Sequence, residues 1–152
     1  MPMPMASLSR GFVPNANSDR IWGAWGPFLH QFDWDHVATL TFRHSPSVDA
    51  AIREFLNWIR RLSKRTQCAI PWFCALERGH SGWLHHHVLM AGTASLTVET
   101  MRETWWTSGG ISKIEVFDPA RGAAWYVSKG VPGGCKWYDV TRRWPPIRHA
   151  VA

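Results

Sequence analysis

The sequence has few cysteines, few acidic residues and no long apolar run, and these shortages exclude several classes of protein. Its three cysteines, Cys68, Cys74 and Cys135, form no CxxC pair and no even set, which argues against a disulfide framework and predicts reduced thiols. No stretch approaches the roughly 18 apolar residues of a membrane span, and the first residues lack the apolar core of a signal peptide. We therefore expect a cytoplasmic protein with no membrane partner.

The scarcity of acidic residues indicates the kind of partner. Lys and Arg number 17 against 11 Asp and Glu, which gives a net charge of +6 and a pI near 9.8. Excess positive charge is typical of proteins that bind nucleic acid. The sequence also has 11 tryptophans, more than a core of this size needs, and spare aromatic rings stack well on unpaired bases. Charge and aromatic content together favour single-stranded nucleic acid as a partner.

The apolar pattern predicts an α+β fold with the order β-α-β-β-α-β and a final helix. Strands are expected at 36–42, 69–77, 83–90 and 111–117. Helices are expected after Ser45-Pro46-Ser47, from Thr97 to Trp105 or Trp106, and from Asp118-Pro119 to Gly130. This order is the ferredoxin-like (RRM-like) pattern, an antiparallel sheet with helices on one face. The final helix can cover part of the other face.

The remaining segments carry weaker patterns. Residues 1–20 mix Pro, Ser, Asn and Gly without an apolar period, so we expect a flexible N-terminal arm. Residues 21–34 are aromatic and Gly-rich, which suggests a docked loop or a lead-in strand. A single domain is expected over 21–140, with a basic tail at 141–152. The basic, Pro-containing stretch that carries Lys136, Arg142, Arg143 and Arg148 has room for one more strand.

Three consecutive histidines interrupt the strand at 83–90. Because alternate strand residues share a face, His85 and His87 point one way and His86 points the other way with Leu84 and Val88. Two imidazoles on alternate positions can hold one divalent metal. Glu77, on the preceding strand, is the candidate third ligand.

The loop between the two strands tests this ligand set. Glu77 lies opposite His85 only if the loop holds an odd number of residues, such as His80-Ser81-Gly82 with Gly82 in a left-handed bulge. A two-residue turn would instead place Glu77 beside His86. The partition of apolar residues favours the odd loop. Two histidines and one carboxylate leave coordination positions open, as a catalytic metal requires, and suit Mn²⁺, Mg²⁺, Zn²⁺ or Fe²⁺.

A tyrosine on the final predicted helix is a candidate nucleophile. Tyr126 and Lys129 are three residues apart and therefore share one helical face. A phenol that a metal or a base activates can attack a phosphate and form a phosphotyrosine. By itself the pair also fits a half-buried tyrosine beside a surface lysine.

Taken together, these residues resemble the HUH endonucleases, in particular the small Rep-type initiators of rolling-circle replication. Three motifs correspond in order over about residues 36–130. The strand Ala38-Thr39-Leu40-Thr41-Phe42 resembles the first, Glu77 with Leu84-His85-His86-His87-Val88-Leu89 the second, and Tyr126-Val127-Ser128-Lys129 the third. The departure is His86, where the family usually has a bulky apolar residue, so a shifted frame that uses His86 as a ligand stays open.

The resemblance implies a site and a reaction. Glu77, His85 and His87 would hold Mn²⁺ or Mg²⁺, Tyr126 would form a 5′-phosphotyrosine with single-stranded DNA or an origin hairpin, and Lys129 would orient the site or neutralise charge. Candidate DNA contacts are basic or hydroxyl side chains: Thr39, Thr41, Arg60, Arg61, Lys64, Arg121, Lys136, Arg142 and Arg143. The domain would act as the nicking and joining module alone, with a separate host or viral helicase, and inside the host cell if the source is viral.

Three alternatives remain at this point. A single-tyrosine HUH transposase or a relaxase-like nickase would keep the fold and change the task. A ferredoxin-like module that binds RNA or single-stranded DNA without catalysis would leave Glu77, His85 and His87 unexplained. A zinc hydrolase would use water as the nucleophile and would not need Tyr126.

Overall fold

A five-stranded antiparallel sheet forms the centre of the structure, a computed structural model that describes residues 25–129, 135–141 and 143–148. Its elements in chain order are α1 (Trp25–His30), β1 (His36–Thr41), α2 (Val48–Thr66), β2 (Trp72–Arg78), β3 (Leu84–Met90), α3 (Val98–Ser108), β4 (Ser112–Val116), α4 (Ala123–Ser128) and β5 (Cys135–Val140). The strand order is β4-β1-β3-β2-β5, and every neighbouring pair is antiparallel. The first four strands have the ferredoxin-like arrangement, which confirms the predicted fold class.

The helices α2 and α3 cover one face of the sheet. Ser47 begins α2 because its hydroxyl accepts a hydrogen bond from the Ala50 N–H at 3.1 Å, and Gln67 ends it in the left-handed conformation. Large aromatic side chains such as Phe55 and Trp58 fill the core on this face. Inside it, the Trp58 indole N–H donates to the Thr104 hydroxyl at 3.0 Å, which satisfies a buried polar group.

The other face is covered by α1 and α4, so the predicted loop or lead-in strand at 21–34 is wrong for Trp25–His30. Leu29 of α1 is fully buried in a second core with Phe73 of β2 and Val127 of α4. Gly26 permits the close approach of the two helices, since a Cβ there would lie 2.3 Å from Trp125 Cδ1. Tertiary packing of aromatic residues, rather than local helix signals, stabilises this short helix.

The end of the chain adds to the sheet. The final predicted helix is split, because Asp118 caps only a 3-10 turn at Pro119–Arg121 and Gly122, at φ 68°, separates that turn from α4. The predicted extra strand is β5, which pairs with β2. Three of the predicted features lie outside the described residues: the N-terminal arm at 1–20, the helix stop at Gly130 and the last residues of the tail. In the described part, no helix is long and apolar enough to cross a membrane.

Candidate active site

The β2–β3 hairpin has the register that the ligand prediction requires. Glu77 pairs directly with His85, and Ala75 pairs with His87. The Gly79 N–H donates to the Trp83 carbonyl at 2.8 Å, which leaves three residues, 80–82, in the loop. Gly82 has φ 83°, the left-handed conformation that glycine adopts without strain. The odd loop is therefore confirmed, and Glu77, His85 and His87 share one face of the sheet.

The three side chains form a compact group that could hold a metal ion. Their candidate ligand atoms all lie within 4.8 Å of one another. Glu77 Oε2 lies 2.9 Å from His87 Nε2 and 3.7 Å from His85 Nε2. Glu77 and His87 are buried, whereas the His85 side chain keeps 20% of its surface exposed. One side of the group is therefore open to solvent.

The electrostatics of this group fit a cation. The imidazoles of His85 and His87, and then the Lys129 ammonium, hold the pKa of the Glu77 carboxyl well below its usual range. Burial lowers the pKa of His87, so its ring is neutral and keeps a lone pair for a metal. His87 Nε2 is buried and makes no hydrogen bond of acceptable geometry despite the nearby carboxylate. A buried imidazole nitrogen with a free lone pair beside a carboxylate fits the donor set of a divalent metal.

Thr39 has a role that the sequence did not suggest. It pairs with His87 across β1 and β3, and its hydroxyl lies 3.4 Å from His87 Nδ1. A hydrogen bond to the second ring nitrogen of a metal-binding histidine fixes the orientation of the ring. The cross-strand position of Thr39 could have been found only once the β1–β3 register was known.

His86 faces the opposite side of the sheet and is fully buried in the first core. Its Nε2–H donates to the Ala51 carbonyl at 2.9 Å, and its Nδ1 lies 3.2 Å from the Cys74 thiol. Burial lowers the pKa of His86 to about 3 and raises the pKa of the Cys74 thiol, so the thiol keeps its proton and can donate to Nδ1. His86 is therefore a neutral core residue, and the shifted frame that would make it a ligand is not supported.

Tyr126 and Lys129 of the α4 region lie beside this group. The Tyr126 ring packs edge-on against the His87 ring, with 5.1 Å between centroids, and keeps 53% of its surface exposed. Lys129 Nζ donates to Glu77 Oε2 at 3.0 Å and lies 4.9 Å from the centre of the Tyr126 ring. An exposed phenol and an ammonium group thus flank a candidate metal centre.

A groove of about 300 Å³ extends from Tyr126 along β1 and β4. Thr39 lines its floor, and Lys113 and Arg121 line it with positive charge. Glu115 lies between these cations, 3.8 Å from Lys113 Nζ and 4.0 Å from Arg121 Nη1. Lys113 and Glu115 were not among the expected site residues, because a strand at a sheet edge gives no sequence signal of which groove it lines.

The residues expected to contact DNA are spread over both faces of the protein. Thr39 and Thr41 lie opposite His87 and His85 on the face of the candidate site, and Arg121 lies in the groove. The helix α2, on the other face, carries Arg60, Arg61 and Lys64; Arg60 bonds to Asn57 and Arg61 to Ser108. Lys136 and Arg143 are exposed near the β5 edge, and Arg142 lies outside the described residues. The structure therefore groups only part of this set with Tyr126.

The fold and the grouping of Glu77, His85, His87 and Tyr126 are those expected for a small Rep-type initiator. Comparison with known families agrees. A model of the replication-associated protein ORF2/G2P family matches residues 35–131, which is more than half of the chain, and the protein belongs to that family. No curated protein and no solved structure matched the chain.

Proposed function

We propose that this protein nicks and rejoins single-stranded DNA through a covalent 5′-phosphotyrosine on Tyr126, as an initiator of rolling-circle replication. The observation that carries the proposal is the contact between the Tyr126 and His87 rings, 5.1 Å apart, at the edge of a Glu-His-His group. Family membership supports a role in replication. The donors present, two imidazoles and one carboxylate, are compatible with Mn²⁺, Mg²⁺, Zn²⁺ or Fe²⁺, and the resemblance to Rep-type initiators favours Mn²⁺ or Mg²⁺.

The chemistry follows from the side chains around the phosphate. A divalent cation held by Glu77, His85 and His87 would supply Lewis-acid activation of the scissile phosphate. The Tyr126 phenol loses its proton as Oη forms a bond to phosphorus, the bond from phosphorus to the 3′ oxygen breaks, and the 3′ oxygen takes up a proton and leaves as a free 3′-OH. Lys129 keeps the charge of the Glu77 carboxylate balanced and places a positive charge near the phenol. The phosphotyrosine retains the energy of the phosphodiester, so a later 3′-OH can reverse the step.

A covalent capture experiment tests this proposal. A pool of randomised single-stranded stem-loop oligonucleotides, labelled at the 3′ end, is incubated with the protein and Mn²⁺ and run on a denaturing gel. The 3′ label should remain with the protein, whereas a 5′ label should leave on a fragment with a free 3′-OH. Mg²⁺ and chelator arms establish whether the adduct needs a metal.

Two variants distinguish the candidate mechanisms. Tyr126→Phe should abolish the adduct, and Tyr138→Phe, which removes the other tyrosine of the chain, should retain it. Cleavage that persists in Tyr126→Phe without an adduct would indicate a hydrolase that uses water. DNA binding without cleavage in any metal would instead leave a non-catalytic binding module, and both outcomes would overturn the proposal.

A further inference from the structure

No described residue pairs with the outer edge of β4, and apolar side chains lie along this edge. β4 is the last strand of the sheet and, in the described part of the chain, pairs only with β1. Ile111, just before β4, is 63% exposed, Val116 at the end of β4 is 68% exposed, and Trp106 of α3 is 54% exposed. An open strand edge with exposed apolar residues is a surface to which another strand can pair.

The hydrogen-bond pattern of β4 determines which residues face this edge. The Thr41 N–H donates to the Ile111 carbonyl at 2.8 Å, and the Phe117 N–H donates to the Asp35 carbonyl at 2.9 Å. Odd-numbered residues of β4 therefore bond to β1. Because main-chain groups alternate in direction along a strand, those of Ser112, Ile114 and Val116 point away from the sheet.

We propose that β4 pairs with β4 of a second copy of this chain, antiparallel and centred on Ile114. In this register Ile114 bonds to Ile114 of the second copy, and Ser112 bonds to its Val116. The pairing provides up to about six main-chain hydrogen bonds and joins the two sheets into one. It does not depend on the proposed nicking activity.

Charge complementarity selects this register. Lys113 lies opposite Glu115 of the second copy, and by symmetry Glu115 lies opposite its Lys113. These residues form the narrow, non-hydrogen-bonded pairs, in which opposing side chains are closest. Both side chains lie on one face and are accessible, with 75% and 41% of their surface exposed. A register centred on Lys113 or on Glu115 would oppose two lysines or two glutamates, which is destabilising.

The same register covers an exposed apolar residue. Ile111 lies opposite Phe117 of the second copy and loses contact with water. The two-fold axis of an antiparallel pair is perpendicular to the sheet, so both grooves that open at Tyr126 lie on the same side of the dimer.

Sedimentation equilibrium of the full chain over a range of concentrations tests the proposal. The wild-type protein should form a dimer, and Lys113→Glu should weaken its association about ten-fold or more. The substitution is present in both copies, so it converts both attractive Lys113–Glu115 pairs into repulsive pairs of glutamates. The double variant Lys113→Glu/Glu115→Lys should restore the dimer. Lys64→Glu, on the exposed surface of α2, makes the same change in net charge and should leave association unchanged.

Several outcomes would overturn the β4 interface. A wild-type protein that stays monomeric at all concentrations excludes it, and so does a dimer that Lys113→Glu does not weaken. If circular dichroism shows that Lys113→Glu does not fold, the variant Glu115→Lys and the double variant still test the register. Failure of the charge swap to restore association would refute the opposition of Lys113 and Glu115.

Discussion

The neutral, buried His86 predicts a steep loss of stability in mild acid. Its pKa is lowered from an ordinary value of 6.5 to about 3, mainly by burial. Unfolding returns the ring to water, so between these two values the unfolded chain binds a proton that the folded chain does not. The stability that neutral His86 contributes is therefore complete above its ordinary pKa of 6.5 and is lost as the pH falls toward about 3.

The size of the effect follows from the pKa difference. One pKa unit corresponds to about 1.4 kcal/mol, so the shift from 6.5 to about 3 corresponds to an upper limit of about 5 kcal/mol. At about pH 5 the titration is partial, and the expected loss is about 2 kcal/mol. That is a large fraction of the roughly 5–15 kcal/mol by which proteins of this kind are stable.

Urea unfolding followed by tryptophan fluorescence measures this loss. The free energy of unfolding is compared at about pH 7.5 and about pH 5, with a chelator present so that metal release adds no pH dependence. His86→Leu is the reference variant, because it removes the titrating ring and keeps an apolar side chain. Contributions from His36 and His87, whose pKa values burial also lowers, are common to both proteins and cancel. An equal acid loss in wild type and variant would refute the reasoning.

Three further substitutions test other parts of the structure. Glu77→Gln should weaken Mn²⁺ binding about ten-fold or more in isothermal titration calorimetry, since it removes the charged ligand, and an unchanged affinity would exclude Glu77 from the site. Gly26→Ala should lower the free energy of unfolding by about 1–3 kcal/mol, because its Cβ would meet Trp125; an unchanged urea midpoint would contradict the close packing of α1 and α4. Thr104→Val should cost about 1–3 kcal/mol in the same assay, because the buried Trp58 N–H loses its acceptor, and a neutral result would show that water replaces it.

The sheet and the grouping of Glu77, His85 and His87 on one face could be predicted because their signals are local. Apolar runs, helical periodicity and turn residues predicted the order of the elements, and the parity of the hairpin loop placed Glu77 opposite His85. Alternation along the strand assigned His86 to the core, where the structure has it. These inferences use only residues that are close in the sequence, and strand periodicity constrains them strongly.

The parts that could not be predicted depend on long-range packing. Helix α1 is held by contacts such as the tilted packing of the His30 ring on the Trp125 ring, almost a hundred residues away. Its own six residues carry no strong helix signal. Arg60 and Lys64 are as basic as Arg121, yet they lie on the face opposite the candidate site. Charge composition indicates a partner, but only the three-dimensional fold determines which charges lie together.

The two halves of the candidate site come from parts of the chain whose ordering costs different amounts of conformational entropy. Glu77, His85 and His87 lie on a single hairpin whose short loop costs little entropy to close. Tyr126 and Lys129 approach it from α4, a six-residue helix held by its contacts with α1 and the sheet; Lys129 is 52 positions from its partner Glu77. Local opening of the chain under mild denaturant should therefore release Tyr126 first, while the hairpin still keeps Glu77, His85 and His87 together. The grouping of the three candidate ligands and the position of Tyr126 beside them would then be lost in separate steps along one unfolding curve.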